Sequence, residues 1–158
     1  MAAMKTNFGF DTNMSLDALY QGIILDHFKN PRNFGKLDGP TTHAHHENPS
    51  CGDQLDLQVA IDEHQRISQI KFHGRGCAIS QSSASMMTEL VKGKTVTKAR
   101  DAIASFVHML TGEGTTKVDL GDLKALAGVK QFPVRVKCAT LAWKALESCL
   151  EQAEAKLK

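Results

Sequence analysis

The spacing of apolar residues changes several times along the chain, and each change marks an element. Leu16, Leu19, Tyr20, Ile23, Ile24 and His27 recur at helical spacing. Ser15 is placed to cap that helix, and Pro31 ends it near Asn30. Residues 33–40 are turn-rich, with Gly35, Gly39 and Pro40, and residues 41–47 are expected to form a short strand. The period then becomes two. Leu55, Leu57, Val59 and Ile61 alternate with polar residues, as in a half-buried strand. A polar turn at residues 62–66 leads to Ile67, Ile70 and Phe72, which completes a hairpin.

After Gly74-Arg75-Gly76-Cys77 the pattern becomes helical again, from Ala78 through Val91. Thr95 starts a further helix with Ala99, Ala102, Ile103, Phe106, Val107 and Leu110 on its apolar face. Residues 111–116 read as a loop and residues 120–127 as a short helix ended by Gly128. Pro133 fits the first turn of a last helix, which carries Val134, Cys138, Leu141, Ala142, Ala145 and Leu146 and runs to about Ala155. Helix, then strands, then helices gives an α+β fold, a small three-stranded antiparallel sheet covered by helices.

A chain of 158 residues suits one domain, expected over residues 15–158. Residues 1–14 are polar and have no apolar stretch of the signal-peptide kind. They are expected to be a disordered lead-in. No apolar run reaches membrane-spanning length, so no membrane association is expected. The formal charge of +2 is spread among acids and shows no basic stripe, so no nucleic-acid partner is expected. A cytoplasmic location follows, and there the four cysteines are expected to be ligands, catalytic groups or packing residues before disulfides.

No two of these cysteines form a Cys-x-x-Cys knuckle, so a shared site has to be assembled by the fold. Cys51 and Asp53 flank Gly52 and can converge on one small target. Cys77 follows the second hairpin strand, at the same open end as Cys51. The helix N-terminus and Arg75 place positive potential there. Cys138 is flanked by Arg135 and Lys137. Three thiols and a carboxylate suit tetrahedral zinc, and a thiol-rich set equally suits an iron–sulfur cluster. Arg75, Arg135 and Lys137 are candidate compensating cations. The residues alone also allow ordinary buried packing cysteines. Cys149 drops out, because it lies about 16 Å beyond Cys138 along one helix. His43, His45 and His46 are read as a solvated strand or loop, since no acidic or thiol partners accompany them in the sequence. His27, His73 and His108 are read as structural, and Met86 and Met87 as core.

Several segments together resemble one family. They are Leu19-Tyr20 through His27-Phe28, Asn30-Pro31-Arg32-Asn33, Asn48-Pro49-Ser50-Cys51-Gly52-Asp53, Gly74-Arg75-Gly76-Cys77-Ala78-Ile79-Ser80 and Arg135-Val136-Lys137-Cys138-Ala139-Thr140-Leu141. With them the chain resembles the IscU-like sulfur-transfer and iron–sulfur scaffold proteins (the NifU N-terminal domain-like family), and within them the SufU type. Two departures from the scaffold type sort it so. Lys137 stands where a histidine usually precedes the third cysteine, and residues 111–130 look like an inserted segment. The resemblance implies an IscU-like fold with one Zn²⁺ on Cys51, Asp53, Cys77 and Cys138. It implies a sulfurtransferase acting as obligate partner of a SufS-type pyridoxal-phosphate cysteine desulfurase. Cys51 would accept persulfide sulfur after a histidine of the desulfurase takes its place on zinc, and a downstream iron–sulfur scaffold would receive the sulfur. The alternative is a scaffold on which a [2Fe–2S] cluster is assembled and passed on.

Overall fold

The structure is a computed structural model that describes residues 12–39 and 41–156. Residues 1–11 of the expected lead-in lie outside the described residues, as does Pro40. Helix α1 spans Thr12–Lys29, strand β1 Thr42–Asn48, β2 Asp53–Ile61 and β3 Ile67–Arg75. Helices α2 (Ala78–Val91) and α3 (Val96–Thr111) follow. A 3₁₀ segment, Gly121–Gln131, then leads into α4, Pro133–Lys156. The three strands form one antiparallel sheet in the order β1-β2-β3, joined by two hairpins. The α+β architecture expected from the periodicities is the one observed.

Burial follows the alternation. Leu55, Leu57 and Val59 of β2, with Ile70 and Phe72 of β3, face inward and are fully buried. Helix α4 packs across β1 and β2, and α2 lies between α1 and α4. Helix α2 is buried almost all round despite four serines. Small side chains let its neighbours approach closely, and its hydroxyls are satisfied within the helix turn or by the neighbouring helices. Ser83 donates to Ala139 O at 2.7 Å and accepts from Trp143 Nε1 at 3.0 Å. That bond orients Trp143, whose ring stacks on Phe106 with centroids 4.5 Å apart.

Helix α1 begins earlier than its best cap. Ser15 lies inside the helix, because Thr12, Asn13 and Met14 include no glycine or proline to stop it. Leu16 and Leu19, placed on the core face by their spacing, are exposed. The helix is anchored at its other end. His27 is 3 % exposed and its Nδ1 is 2.7 Å from Ser85 Oγ, which also accepts the Arg32 N–H at 2.9 Å. Asn33 Nδ2 donates to Thr88 Oγ1 at 3.0 Å. The Asn30-Pro31-Arg32-Asn33 turn thus fastens α1 to α2.

Burial, with Arg32 adding, holds His27 below the ordinary histidine value of 6.5. The folded state keeps this imidazole neutral while the unfolded chain takes up a proton. Its contribution to stability is therefore full above pH 6.5 and is lost as the pH falls below it. Urea midpoints measured from pH 7 down to pH 5 are expected to fall, and His27→Gln to flatten that slope. An unchanged slope would show that His27 does not titrate with unfolding.

The expected short helix at residues 120–127 is corrected to the longer 3₁₀ segment, which runs through Gly128. Such segments seldom exceed a few residues. Here Leu120, Leu123, Leu126 and Val129 are all buried. They recur at every third position, the period at which a 3₁₀ helix lines up its side chains. Tertiary burial of that stripe outweighs the poorer hydrogen bonds.

Candidate metal centre

The site lies where the tip of the first hairpin meets the starts of α2 and α4. Asn48 pairs with Asp53 across the hairpin, leaving residues 49–52 as its tip. Pro49 presets the turn, and the Cys51 N–H closes it on Asn48 O at 3.1 Å. Gly52 then turns the chain back with φ of 71°, a conformation that favours glycine. Cys51 is thereby held, half-buried, at the tip.

Asp53 starts β2 in the same phase as Leu55, Leu57 and Val59. Its carboxylate therefore points inward, and the residue is 1 % exposed. Oδ1 accepts the Cys77 N–H at 3.0 Å. Oδ2 is buried and has no hydrogen-bond partner. Cys77 is the N-cap of α2, and its thiol lies 3.9 Å from Ser80 Oγ. Gly76 is required by proximity: a Cβ there would overlap the Asp53 carboxylate and lie 2.6 Å from Ser80 Oγ.

Cys138 comes from the second turn of α4 and is 1 % exposed. Its Sγ lies 2.9 Å from Cys51 Sγ, and both thiols are free. Asn48 Nδ2 donates to Cys138 Sγ at 3.5 Å. Ligand atoms of Cys51, Asp53 and Cys138 all lie within 4.8 Å of one another. The structure thus brings three of the four expected donors together. Cys77 adjoins them through its backbone, with its thiol turned toward Ser80.

The electrostatics fit a cation. Burial pushes the Cys138 thiol far above its usual range, and the hydrogen bonds this thiol donates toward Cys51 and Asp53 add to the shift by favouring the protonated form. Exposed Arg135 and Lys137 do not offset it, contrary to the expectation from sequence. A buried carboxylate with an unpartnered oxygen is costly by itself. A divalent cation among these donors removes both penalties at once. Among the described residues, Arg75, Arg135 and Lys137 make no ion pair with the cluster. Arg135 lines an open groove of about 560 Å³ that also bounds Cys77, with Val129 and Phe132 on its other wall. Phe132 is 58 % exposed there.

Cys149 is buried elsewhere, as expected. Its thiol contacts Leu57 O at 3.8 Å, and burial raises it to about 11. Met86 and Met87 are core. Asn48 and Gly76 serve the site without being donors, Asn48 by its bond to Cys138 Sγ and Gly76 by leaving room for the Asp53 carboxylate. For Asn48 the available signal was its inward phase on β1, shared with Thr42 and Ala44. The reading of His43, His45 and His46 as lacking acidic partners is overturned, since His43 and His45 both contact Asp56.

Thiols and a buried carboxylate gathered at one end of a helix-covered antiparallel sheet define a small α+β domain with a thiol-rich cluster of the donor types that metal sites use. Residues 19–156 match the NifU-like N terminal domain family, and the chain belongs to it. It is 46 % identical over 143 residues to the zinc-dependent sulfurtransferase SufU of Bacillus subtilis (strain 168), covering 90 % of this chain and 96 % of that protein. It is 42 % identical over 138 residues to the iron–sulfur cluster assembly scaffold protein IscU of Streptococcus pyogenes serotype M1, covering 87 % and 86 %. The crystal structure of FiSufU from Fervidobacterium islandicum AW-1 superposes with a TM-score of 0.77 at 33 % identity, covering 89 % of this chain and 99 % of that one. Among the described residues, no helix is long and apolar enough to cross a membrane.

Proposed function

We propose that this chain is a zinc-dependent sulfur-transfer protein of iron–sulfur cluster biogenesis. It would take persulfide sulfur on Cys51 from a SufS-type cysteine desulfurase in the cytoplasm and pass it to a downstream scaffold. The observation that carries this reading is the buried, unpartnered Asp53 Oδ2 set against the Cys51 and Cys138 thiols. The likeness to the Bacillus sulfurtransferase supports it. Cys51, Asp53, Cys77 and Cys138 would hold the ion, with the Cys77 thiol brought in by rotation of its side chain. Bound zinc supplies the positive charge that keeps these thiols deprotonated at neutral pH.

The hairpin tip gives Cys51 the access that Cys138 lacks. Its thiolate attacks the outer sulfur of the donor's persulfide. A new S–S bond forms on Cys51, the donor's own S–S bond breaks, and the donor cysteine leaves as thiolate. Asp53 holds the start of α2 through the Cys77 N–H and stays in place. Exposed Arg135, Lys137 and Phe132 would meet the desulfurase beside the groove. Arg75, exposed at the end of β3, would add positive charge to the same end of the molecule. We read residues 111–130 as the segment that distinguishes this type, since its 3₁₀ part walls that groove.

A second reading, a scaffold for a [2Fe–2S] cluster, is favoured by the likeness to the Streptococcus protein. Lys137 stands against it, because it puts an ammonium where a ligand would serve. Elemental analysis and desulfurase turnover separate the two. One zinc per chain and about tenfold or greater stimulation of a SufS-type desulfurase are expected. Iron in place of zinc, as a transferable cluster without stimulation, would establish the scaffold instead.

A further inference from the structure

The outer face of the sheet carries a second group of metal-ligating side chains that the proposed sulfur transfer does not use. Strand alternation puts His43, His45 and Glu47 on the solvent side of β1. The register then aligns His45 of β1, Asp56 of β2 and His73 of β3 in one row across the sheet. Two imidazoles converge on a single carboxylate oxygen. His43 Nε2 is 3.1 Å and His45 Nδ1 3.0 Å from Asp56 Oδ1. His73 Nδ1 lies 3.9 Å from the other oxygen, Oδ2. Glu47 Oε2 is 2.7 Å from His45 Nε2 and orients that ring from behind.

We propose that His43, His45 and Asp56 form a second metal site, for a divalent transition ion of the zinc, nickel or copper class, with His73 as a further donor. Imidazole with carboxylate suits these ions. Two histidines two residues apart on one strand project to the same side and can chelate one ion. Nitrogen and oxygen donors at about 2.0–2.2 Å from a tetrahedral ion lie a little over 3 Å from one another. Two of the three donor–donor distances are already close to that. The third, between the two imidazoles, would close by rotation of the His43 side chain, which is 55 % exposed, toward the His45 ring that Glu47 holds in place. Asp56 is 24 % exposed and fixed between the two outer strands, so it serves as the anchor. Glu47 plays the outer part that carboxylates commonly play behind a ligating histidine, fixing the ring and raising its basicity.

The two sites are separate. Asp53 points inward and Asp56 outward from the same strand, about 10 Å apart along it. They differ in chemistry too, one being sulfur-rich and the other limited to nitrogen and oxygen. The second site therefore stands whatever the thiol centre holds.

Protein with its thiol centre filled is titrated with Zn²⁺ by calorimetry, while the imidazole resonances are followed by NMR. A further equivalent is expected, with the His43 and His45 rings shifting together. His45→Gln and Asp56→Asn should each weaken it by about tenfold or more while leaving the zinc of the thiol centre in place. These are surface substitutions, and circular dichroism verifies the fold. The proposal is overturned by any of three results: no further equivalent, one that survives both substitutions, or one that shifts only other histidines.

Discussion

Cys51→Ser is expected to leave the protein folded and to abolish its persulfide. The backbone part played by residue 51, its N–H to Asn48 O, does not depend on the side chain. The residue is half-buried, and its thiol accepts a hydrogen bond from Cys138 Sγ at 2.9 Å. A serine fits the same space, so the stability of the zinc-free protein should change by less than about 1 kcal/mol. A hydroxyl at neutral pH is not a nucleophile comparable with a thiolate, so sulfur should not be accepted. After incubation with a SufS-type desulfurase and cysteine, mass spectrometry should find the added sulfur on the wild-type chain and only background on the variant. Cys149→Ala should load as the wild type does, because that thiol is fully buried. Sulfur accumulating on the Cys51 variant at the wild-type rate would assign the acceptor elsewhere.

Asp53 should show its two jobs separately. Asp53→Ala removes the acceptor of the Cys77 N–H and leaves a buried donor unpartnered, at a cost of about 1–3 kcal/mol. It also removes Oδ2 from the donor set. Asp53→Asn keeps a carbonyl oxygen for that N–H but loses the charge and one anionic oxygen. Without zinc, the Asn variant should therefore melt close to the zinc-free wild type, yet it should hold zinc about 10- to 100-fold more weakly in competition with a chelator. The Ala variant should lose both stability and zinc. Wild-type zinc affinity in Asp53→Asn would reduce Asp53 to its structural bond with Cys77.

These two predictions rest on facts of different origin. That Cys51 stands half-buried on a tight hairpin tip was legible locally, from a proline and a glycine around it. That Asp53 is buried was also encoded locally, in a form easily passed over. It occupies the inward phase of the alternation that continues through Leu55, Leu57 and Val59. A charged residue in the apolar phase of a strand signals a satisfied or ligating group. The orphaned Oδ2, by contrast, follows from what the start of α2 does and does not offer it.

By itself the sequence determined the order of the elements and the buried faces of β2 and α3, though not the face of α1, where Leu16 and Leu19 are exposed. Periodicity is a local property, and burial of an apolar stripe acts residue by residue on the chain that carries it. It also determined the donor types and excluded Cys149 by distance along a helix. Only the tertiary structure decided which donors meet. Cys138 reaches Cys51 because α4 packs across β1 and β2, and no local pattern specifies that packing. The strand register decided that Asp56 stands between His45 and His73, turning histidines without visible partners into a cluster. Burial against four helices chose a 3₁₀ path for Gly121–Gln131, where propensity alone suggested an ordinary short helix. In each case the deciding contact joins residues distant in the chain, and its energy exists only once the fold has closed.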